Sequence, residues 1–304
     1  MGDTLYDTDL IIIGGGPAGC AAARMAASVG MRSTLVEPDR LCRNLYRIPA
    51  LNNVLGGYTG GPELADAIVA ELKNTELCRL ELGRYVTELR AADDQVTVTL
   101  DTGASLTAPY AIAATGVGPL QPSDAPWITD PAGLTLPALW QANADDAQGR
   151  TLLVLGGDRP IGTFLRAHPT TDTRLLVAYP AADEYKIDEI REDSRVTLLP
   201  VDHLTLHGGE GAQLSAEAVG QDGIHRTITA DAAVLSLGSA PAAPPGDLTR
   251  GPDGYCPPTD QHSRLLVAGD LRSARFQRIM TALGSGSEAA LHAYYVARDL
   301  SIKG

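Results

Sequence analysis

No two cysteines in this chain are spaced as a CxxC pair. Cys20, Cys42, Cys78 and Cys256 are scattered through 304 residues, and no histidine stands at metal-ligand spacing from another ligand. A zinc site is therefore not expected, and the thiols read as those of a reduced, cytosolic protein. Positive charge is also scarce: Lys and Arg number 24 against 37 Asp and Glu, a net charge of −13. Neutralising a phosphate backbone needs clustered cations, so a nucleic-acid partner is not expected, and a basic protein is the only partner the charge favours. Long apolar runs are missing too. The longest, such as Leu10 to Ile13 and Leu265 to Ala268, fall far short of the ~18 residues that span a bilayer, and Met1 to Asp9 has no signal-peptide pattern. The expectation is a cytoplasmic protein without a membrane partner.

A chain of this length suits two domains of roughly 100–150 residues better than one core. The apolar run Asp9 to Ile13 leads into Gly14-Gly15-Gly16-Pro17-Ala18-Gly19, then a small-residue helix to Val29 and a strand from Arg32 that closes at Glu37. That is one βαβ unit. A helix is expected from Gly61 to about Leu72, an antiparallel strand over 96–100 turned by Asp-Thr-Gly, and a buried strand in "PYAIAATG" at 109–116. The Pro-rich stretch Gly118 to Pro131 is the best boundary. A second βαβ pattern follows: strand 151–155, a glycine turn, a short helix near Ile161 to Ala167 and strand Arg174 to Tyr179. Further strands are expected near 196–199, within 213–229 and at Ala232 to Gly238. A second Pro- and Gly-rich stretch, 239–258, returns to a strand at 264–267 and a long helix from about Arg278 to Arg298.

A lone GxGxxG is weak evidence, but this one has its full context. Gly14 permits the tight turn, Gly16 lets a pyrophosphate approach the backbone, and Gly19 allows the helix to pack on the strand. The helix start offers free N–H groups and a positive dipole end. Glu37, 23 residues after Gly14, is placed to hydrogen-bond a ribose hydroxyl.

The closing segment "RLLVAGDLRSARFQRIMTALGSGSEAALHAYY" resembles that of the low-molecular-weight thioredoxin reductases, FAD-dependent members of the pyridine nucleotide-disulfide oxidoreductases. In that family the Asp of a strand-ending Gly-Asp bonds the flavin ribitol, and Gly269 and Asp270 match it. "AATG" at 113–116 matches the family's ATG turn, and "NNVLGGYTGGPELA" at 52–65 resembles its loop that brings an asparagine, here Asn53, near the flavin. The resemblance runs through essentially the whole chain. It implies an α/β fold of two Rossmann-like three-layer dinucleotide-binding domains, the second inserted into the first: an FAD domain of residues 1–117 and 245–304, and an NAD(P)H-binding-like domain of 118–244. It further implies a homodimer, and FAD contacts at Gly14, Gly16, Pro17, Ala18, Gly19, Glu37, Asn53, Val86, Thr115, Gly116, Gly269, Asp270 and Ile279. Gln277 and Arg278 stand where family backbone N–H groups meet the ring.

Two departures are plain. Thioredoxin reductases carry a CxxC before the second glycine motif, whereas the matching stretch here, 130–150, has no cysteine. In "GGDRPIG" the second glycine of the motif is Asp158. Its carboxylate would face pyrophosphate, and two charges ~4 Å apart at an effective dielectric near 20 repel by ~4 kcal/mol, about a thousandfold in affinity. Pro160 removes an N–H and Ile161 replaces the third small residue. Tyr179, at the offset Glu37 has from Gly14, puts a phenol at the ribose position, and the basic cluster used for a 2′-phosphate is missing. NAD(P)H binding is accordingly doubtful.

Cys42 is the one thiol with a catalytic reading. It lies after Glu37 in "CRNLYRIP", where larger flavin disulfide reductases place a CxxxxC, although Arg47 takes the second cysteine's place. Arg40, Arg43 and Arg47 would lower its pKa, or contact FAD phosphates instead. Cys20 reads as packing. The leading expectation is an FAD-dependent oxidoreductase without a CxxC relay and without efficient use of NAD(P)H, its flavin exchanging electrons with a small substrate or a redox protein such as ferredoxin. One alternative is an NAD(P)H-dependent flavin reductase serving a ferredoxin, quinone or small acceptor. Another is a non-catalytic flavin-binding redox sensor or scaffold.

Overall fold

The apolar tetrapeptide Leu10–Ile13 is buried along its whole length because it is the middle of five parallel strands. The order is Leu265–Val267, Tyr110–Ala113, Leu10–Ile13, Ser33–Glu37, Cys78–Leu82, with Leu10 beside both Ser33 and Tyr110. Burial on both faces explains why Leu10–Ile13 and Tyr110–Ala113 read as apolar runs, and Ser33–Glu37 is buried through Val36 even though it opens on Ser and Thr. The computed structural model describes residues 8–48, 50–207 and 214–300. Expectations that touch Met1 to Asp7, Pro49, residues 208–213 or 301–304 lie outside these.

The chain divides into two units, one of residues up to Gly118 with those from Pro241 onward, the other Pro119–Ala240. In the first, helices Pro17–Ser28, Gly61–Lys73 and Ile279–Ala297 cover one face of the parallel sheet, around Ile12, Leu35, Ala22 and Ala290. The antiparallel strands Val86–Ala91, Val96–Leu100 and Ser105–Ala108 cover the other, around Ile11, Val98 and Leu89. These are three layers. Cys78–Leu82, Val86–Ala91 and Ser105–Ala108 are not evident in the sequence because half-exposed strands such as "CRLEL" and "VTELRA" carry charged residues where a buried strand would show an apolar run.

The second unit repeats the parallel core. Thr173–Tyr179, Arg150–Leu155 and Ala232–Leu235 lie side by side, with Pro160–Ala167 as the crossover helix. Val196–His207 runs longer than expected because it changes partner. Residues 196–200 pair in parallel with Thr173–Tyr179, and 201–207 pair antiparallel with Leu214–Gly220, the register shifting between Val201 and His203. Each unit is thus a Rossmann-like α/β domain, the second inserted in the sequence of the first.

Candidate functional site

A cavity of about 690 Å³ opens at the carboxyl ends of the first unit's parallel strands, the place where open α/β sheets hold ligands. Gly14, Gly16, Pro17, Ala18, Glu37, Asn53, Val86, Thr115, Gly116, Gly269, Asp270, Gln277, Arg278 and Ile279 all line it. Gly19 and Cys42 are not among the lining residues.

The glycines divide the work. A Cβ on Gly14 would lie 2.6 Å from the Ala114 carbonyl oxygen, and one on Gly19 would collide with the carbonyl oxygen of Gly14, so these two pack the turn against its neighbours. Gly16 differs. A Cβ there would meet nothing within 4 Å and would project into open space at the start of the helix Pro17–Ser28, whose N-cap has no side-chain partner. Glu37 is fixed in place, Oε2 accepting from Gly15 N at 2.7 Å and Oε1 from Asp39 N at 3.0 Å.

Asp270 stands across the cavity after the strand Leu265–Val267. Burial, opposed only by the Arg278 charge, pushes its carboxyl up to about 6. Ser285, which no sequence motif marks, anchors this corner by accepting from Gly269 N at 2.8 Å and donating to Ala282 O at 3.0 Å. Ser285→Ala leaves the Gly269 N–H without that acceptor. The expected cost is about 1–3 kcal/mol, read as a lower melting temperature, with weaker flavin retention. Arg40, Arg43 and Arg84 also line the cavity, so the arginines flanking Cys42 in sequence face the cavity that Cys42 does not.

Two expected environments need correction. Cys42 is 1% exposed and lies with its Sγ 3.8 Å from Cys20 Sγ, so it is not an open thiol beside arginines. The Arg278 amide is already donated to Thr281 Oγ1 at 3.1 Å. The Gln277 side chain donates to Ser273 O at 3.0 Å and Tyr255 Oη at 3.2 Å, which orders the loop before the last helix.

Two features of the cavity suit a dinucleotide. Thr115 Oγ1 is buried in its wall without a hydrogen-bond partner, and the Gly16 face leaves room for phosphate against open helix amides.

The second glycine turn keeps the shape of the first and departs from it at Asp158. Gly156, at φ 94°, is held as Gly14 is, a Cβ meeting the Ser236 carbonyl oxygen at 2.4 Å. The Gly156 amide donates to Ala178 O and Gly157 to Asp183 Oδ2 at 3.4 Å, as Gly14 donates to Val36 O and Gly15 to Glu37 in the first turn; here Asp158 also donates to Ser236 O at 3.1 Å and Ile161 to Asp158 O at 3.3 Å. Pro160 has no N–H. The helix starts one residue later than its counterpart, Arg159 taking an αR conformation at the N-cap, and Ile161 is fully buried where the first turn requires Gly19. Tyr179 is 2% exposed, and burial together with Glu184 pushes its hydroxyl up to about 12.

The sequence profile of the pyridine nucleotide-disulphide oxidoreductases matches residues 8–159, half of the chain, from the first strand through the second glycine turn. The chain belongs to the pyridine nucleotide-disulphide oxidoreductase family. Members of this family are FAD-dependent oxidoreductases. An alkyl hydroperoxide reductase protein of Xanthomonas campestris pv. phaseoli is 24% identical over 307 residues, covering 94% of this chain and 56% of that protein. The ferredoxin–NADP reductase of Granulibacter bethesdensis is 26% identical over 247 residues, covering 75% of this chain and 69% of that protein. The chain thus spans little more than half the length of the hydroperoxide reductase protein. In three dimensions, Lactococcus lactis thioredoxin reductase overlays 97% of this chain and 100% of its own with a TM-score of 0.76 at 19% identity, a likeness of fold. Among the described residues, no helix is long and apolar enough to cross a membrane, and no group of three or more His, Cys, Asp or Glu could hold a metal ion.

Proposed function

We propose that this pyridine nucleotide-disulphide oxidoreductase binds FAD along the first unit's cavity and exchanges electrons directly with a small substrate or a redox protein such as a ferredoxin. It does so without a CxxC relay and without efficient use of NAD(P)H. The observation that carries this reading is the contrast at the third residue of the two glycine turns: Gly16 leaves open space at the start of its helix, whereas its counterpart is Asp158, whose amide donates to Ser236 O at 3.1 Å.

The open amides of the first turn, with Arg40 and Arg43, hold the pyrophosphate of FAD. Glu37, already oriented by two backbone donors, accepts from ribose hydroxyls. Asp270 accepts from the ribityl chain, and because its carboxyl is raised, a hydroxyl donor lowers it again by stabilising the anion. The start of the last helix at Ile279 would turn its positive dipole end toward a bound flavin, and Asn53 lines the same cavity from the loop before Gly61. Bound FAD supplies the one- and two-electron exchange. No acid or base side chain is assigned to the reacting face.

Anaerobic titration of the purified protein with dithiothreitol, a reduced ferredoxin, NADPH and NADH tests this. A yellow protein bleached by the thiol or ferredoxin, and slowly or not at all by NAD(P)H, is the expected result. Rapid bleaching by NADPH instead selects a flavin reductase driven by pyridine nucleotide, the activity that the name of the Granulibacter relative carries. Slow reduction by every donor selects the sensor, and a protein that stays colourless after added FAD removes the proposal. A cytoplasmic homodimer belongs to the same reading, and light scattering after gel filtration tests the dimer.

A further inference from the structure

Cys20 and Cys42 come from separate elements, the first turn of the helix Pro17–Ser28 and the loop after Glu37, and both are buried, at 2% and 1% exposure. Their sulfurs lie 3.8 Å apart and both thiols are free. A disulfide is ~2.05 Å, so closing the gap asks for a movement of about 1.8 Å, shared between a side-chain rotation and a loop shift. Cys42 also holds φ at 55°, a left-handed conformation that strains a non-glycine residue and that glycine would take freely.

Both cysteines bond the same atom. The Gly15 carbonyl oxygen accepts from the Cys42 amide at 2.8 Å and from the Cys20 thiol at 3.3 Å, while the Gly15 amide donates to Glu37. The next residues of the Cys42 loop, Arg43 and Asn44, line the cavity. The pair therefore sits directly behind the turn that faces the cofactor. Both side chains pack in the apolar core beside the sheet, but the direct-transfer reading makes no use of their redox chemistry.

We propose that Cys20 and Cys42 are a reversible disulfide site, closed by two-electron oxidation by a hydroperoxide, and that closing it weakens cofactor binding through Gly15 and the Cys42 loop. The second half rests on the FAD reading above; the first does not. One sulfur, having shed its proton, attacks an oxygen of hydrogen peroxide. The O–O bond breaks, hydroxide leaves and takes up that proton as water, and a sulfenic acid remains. The other thiol attacks the sulfenic sulfur, the S–O bond breaks and a second water leaves. The two thiols lose two electrons and two protons, and the peroxide gains both. The hydrogen bond to Cys42 and burial hold the Cys20 thiol well above the ordinary range. The site is thus a slow one, reached by a small oxidant through local opening rather than by bulky thiol reagents.

The test uses full-length protein with and without FAD, treated with hydrogen peroxide, denatured, alkylated and mapped by mass spectrometry. The expected result is a Cys20–Cys42 cross-linked peptide, reversed by dithiothreitol, with Cys78 and Cys256 alkylated. The Kd for FAD should then rise by about 5–150-fold, the usual range of coupling between linked sites, and bound FAD should disfavour the disulfide by the same factor. Cys20→Ala should lose the cross-link, and the wild-type map stands on its own if that variant does not fold. Four alkylated thiols, or oxidation at Cys78 alone, would overturn the disulfide; an unchanged Kd overturns the coupling. A cross-link in protein that binds no FAD supports the disulfide and overturns the cofactor reading, so the two failures are told apart.

Discussion

A Gly16→Asp variant is expected to purify colourless, with FAD affinity lowered by about a thousandfold and its fold intact. The substitution copies into the first turn the residue that the second turn carries at the same place, Asp158. A carboxylate ~4 Å from a phosphate at an effective dielectric near 20 adds ~4 kcal/mol of repulsion, and the side chain fills the face the pyrophosphate needs. Nothing in the fold opposes it. Gly16 has extended backbone angles, φ −74° and ψ −176°, and a Cβ there meets no atom within 4 Å. Asp is also a favoured N-cap that complements the helix dipole by about 0.3–1 kcal/mol, so the apoprotein should melt at the same temperature or slightly higher. Flavin absorbance and calorimetric melting, measured on one sample, check both halves. Retained yellow colour would show that the first turn does not hold the pyrophosphate.

Asp270→Asn should move stability and binding in opposite directions. Burial raises the folded-state carboxyl to about 6, against an ordinary 3.8. A raised acid binds its proton more tightly in the folded state. It therefore favours folding of the cofactor-free protein below the unfolded value, and that contribution is lost as pH climbs through about 6. The burden of ionising in place at pH 8 is on the order of 2–3 kcal/mol for a shift of this size. The Asn variant does not carry it, so its apoprotein should be more stable than wild type at pH 8 and indistinguishable near pH 4. With FAD the advantage at pH 8 should largely disappear, because the charged acceptor for a ribityl hydroxyl is gone, at a cost of about 1.5–3 kcal/mol in binding. Denaturant titrations at both pH values, with and without FAD, separate the effects. Equal apoprotein stability at pH 8 would remove the burial argument.

These outcomes depend on features of unequal visibility. Gly14, Gly19 and Glu37 follow from spacing alone, since a strand, a tight turn and a helix leave little freedom for what stands at each position. Asp270 became legible only through resemblance, because an Asp after a short apolar run is otherwise an ordinary turn residue. Ser285 could not be found: a serine in "LGSGSE" gives no sign that its hydroxyl accepts from a backbone amide sixteen residues earlier. Cys42 shows the opposite failure. Its arginine neighbours in sequence suggest either an activated thiol or contacts to FAD phosphates, yet consecutive residues in a loop point different ways. Arg40 and Arg43 face the cavity while the thiol turns inward to Cys20.

The sequence by itself determined two βαβ units, the glycine turns and the missing CxxC, because these are local patterns of periodicity, backbone freedom and residue type. It also placed Asp158 and Ile161 where the first turn has Gly16 and Gly19. Only the tertiary structure decided where the turn amides go, since donors of the second turn end on Ser236 and Asp183, distant in the chain. It alone brought Cys20 within 3.8 Å of Cys42 and Gly269 onto Ser285. Contacts between residues far apart in the chain are set by how the layers close, and a single sequence carries no local record of that closure.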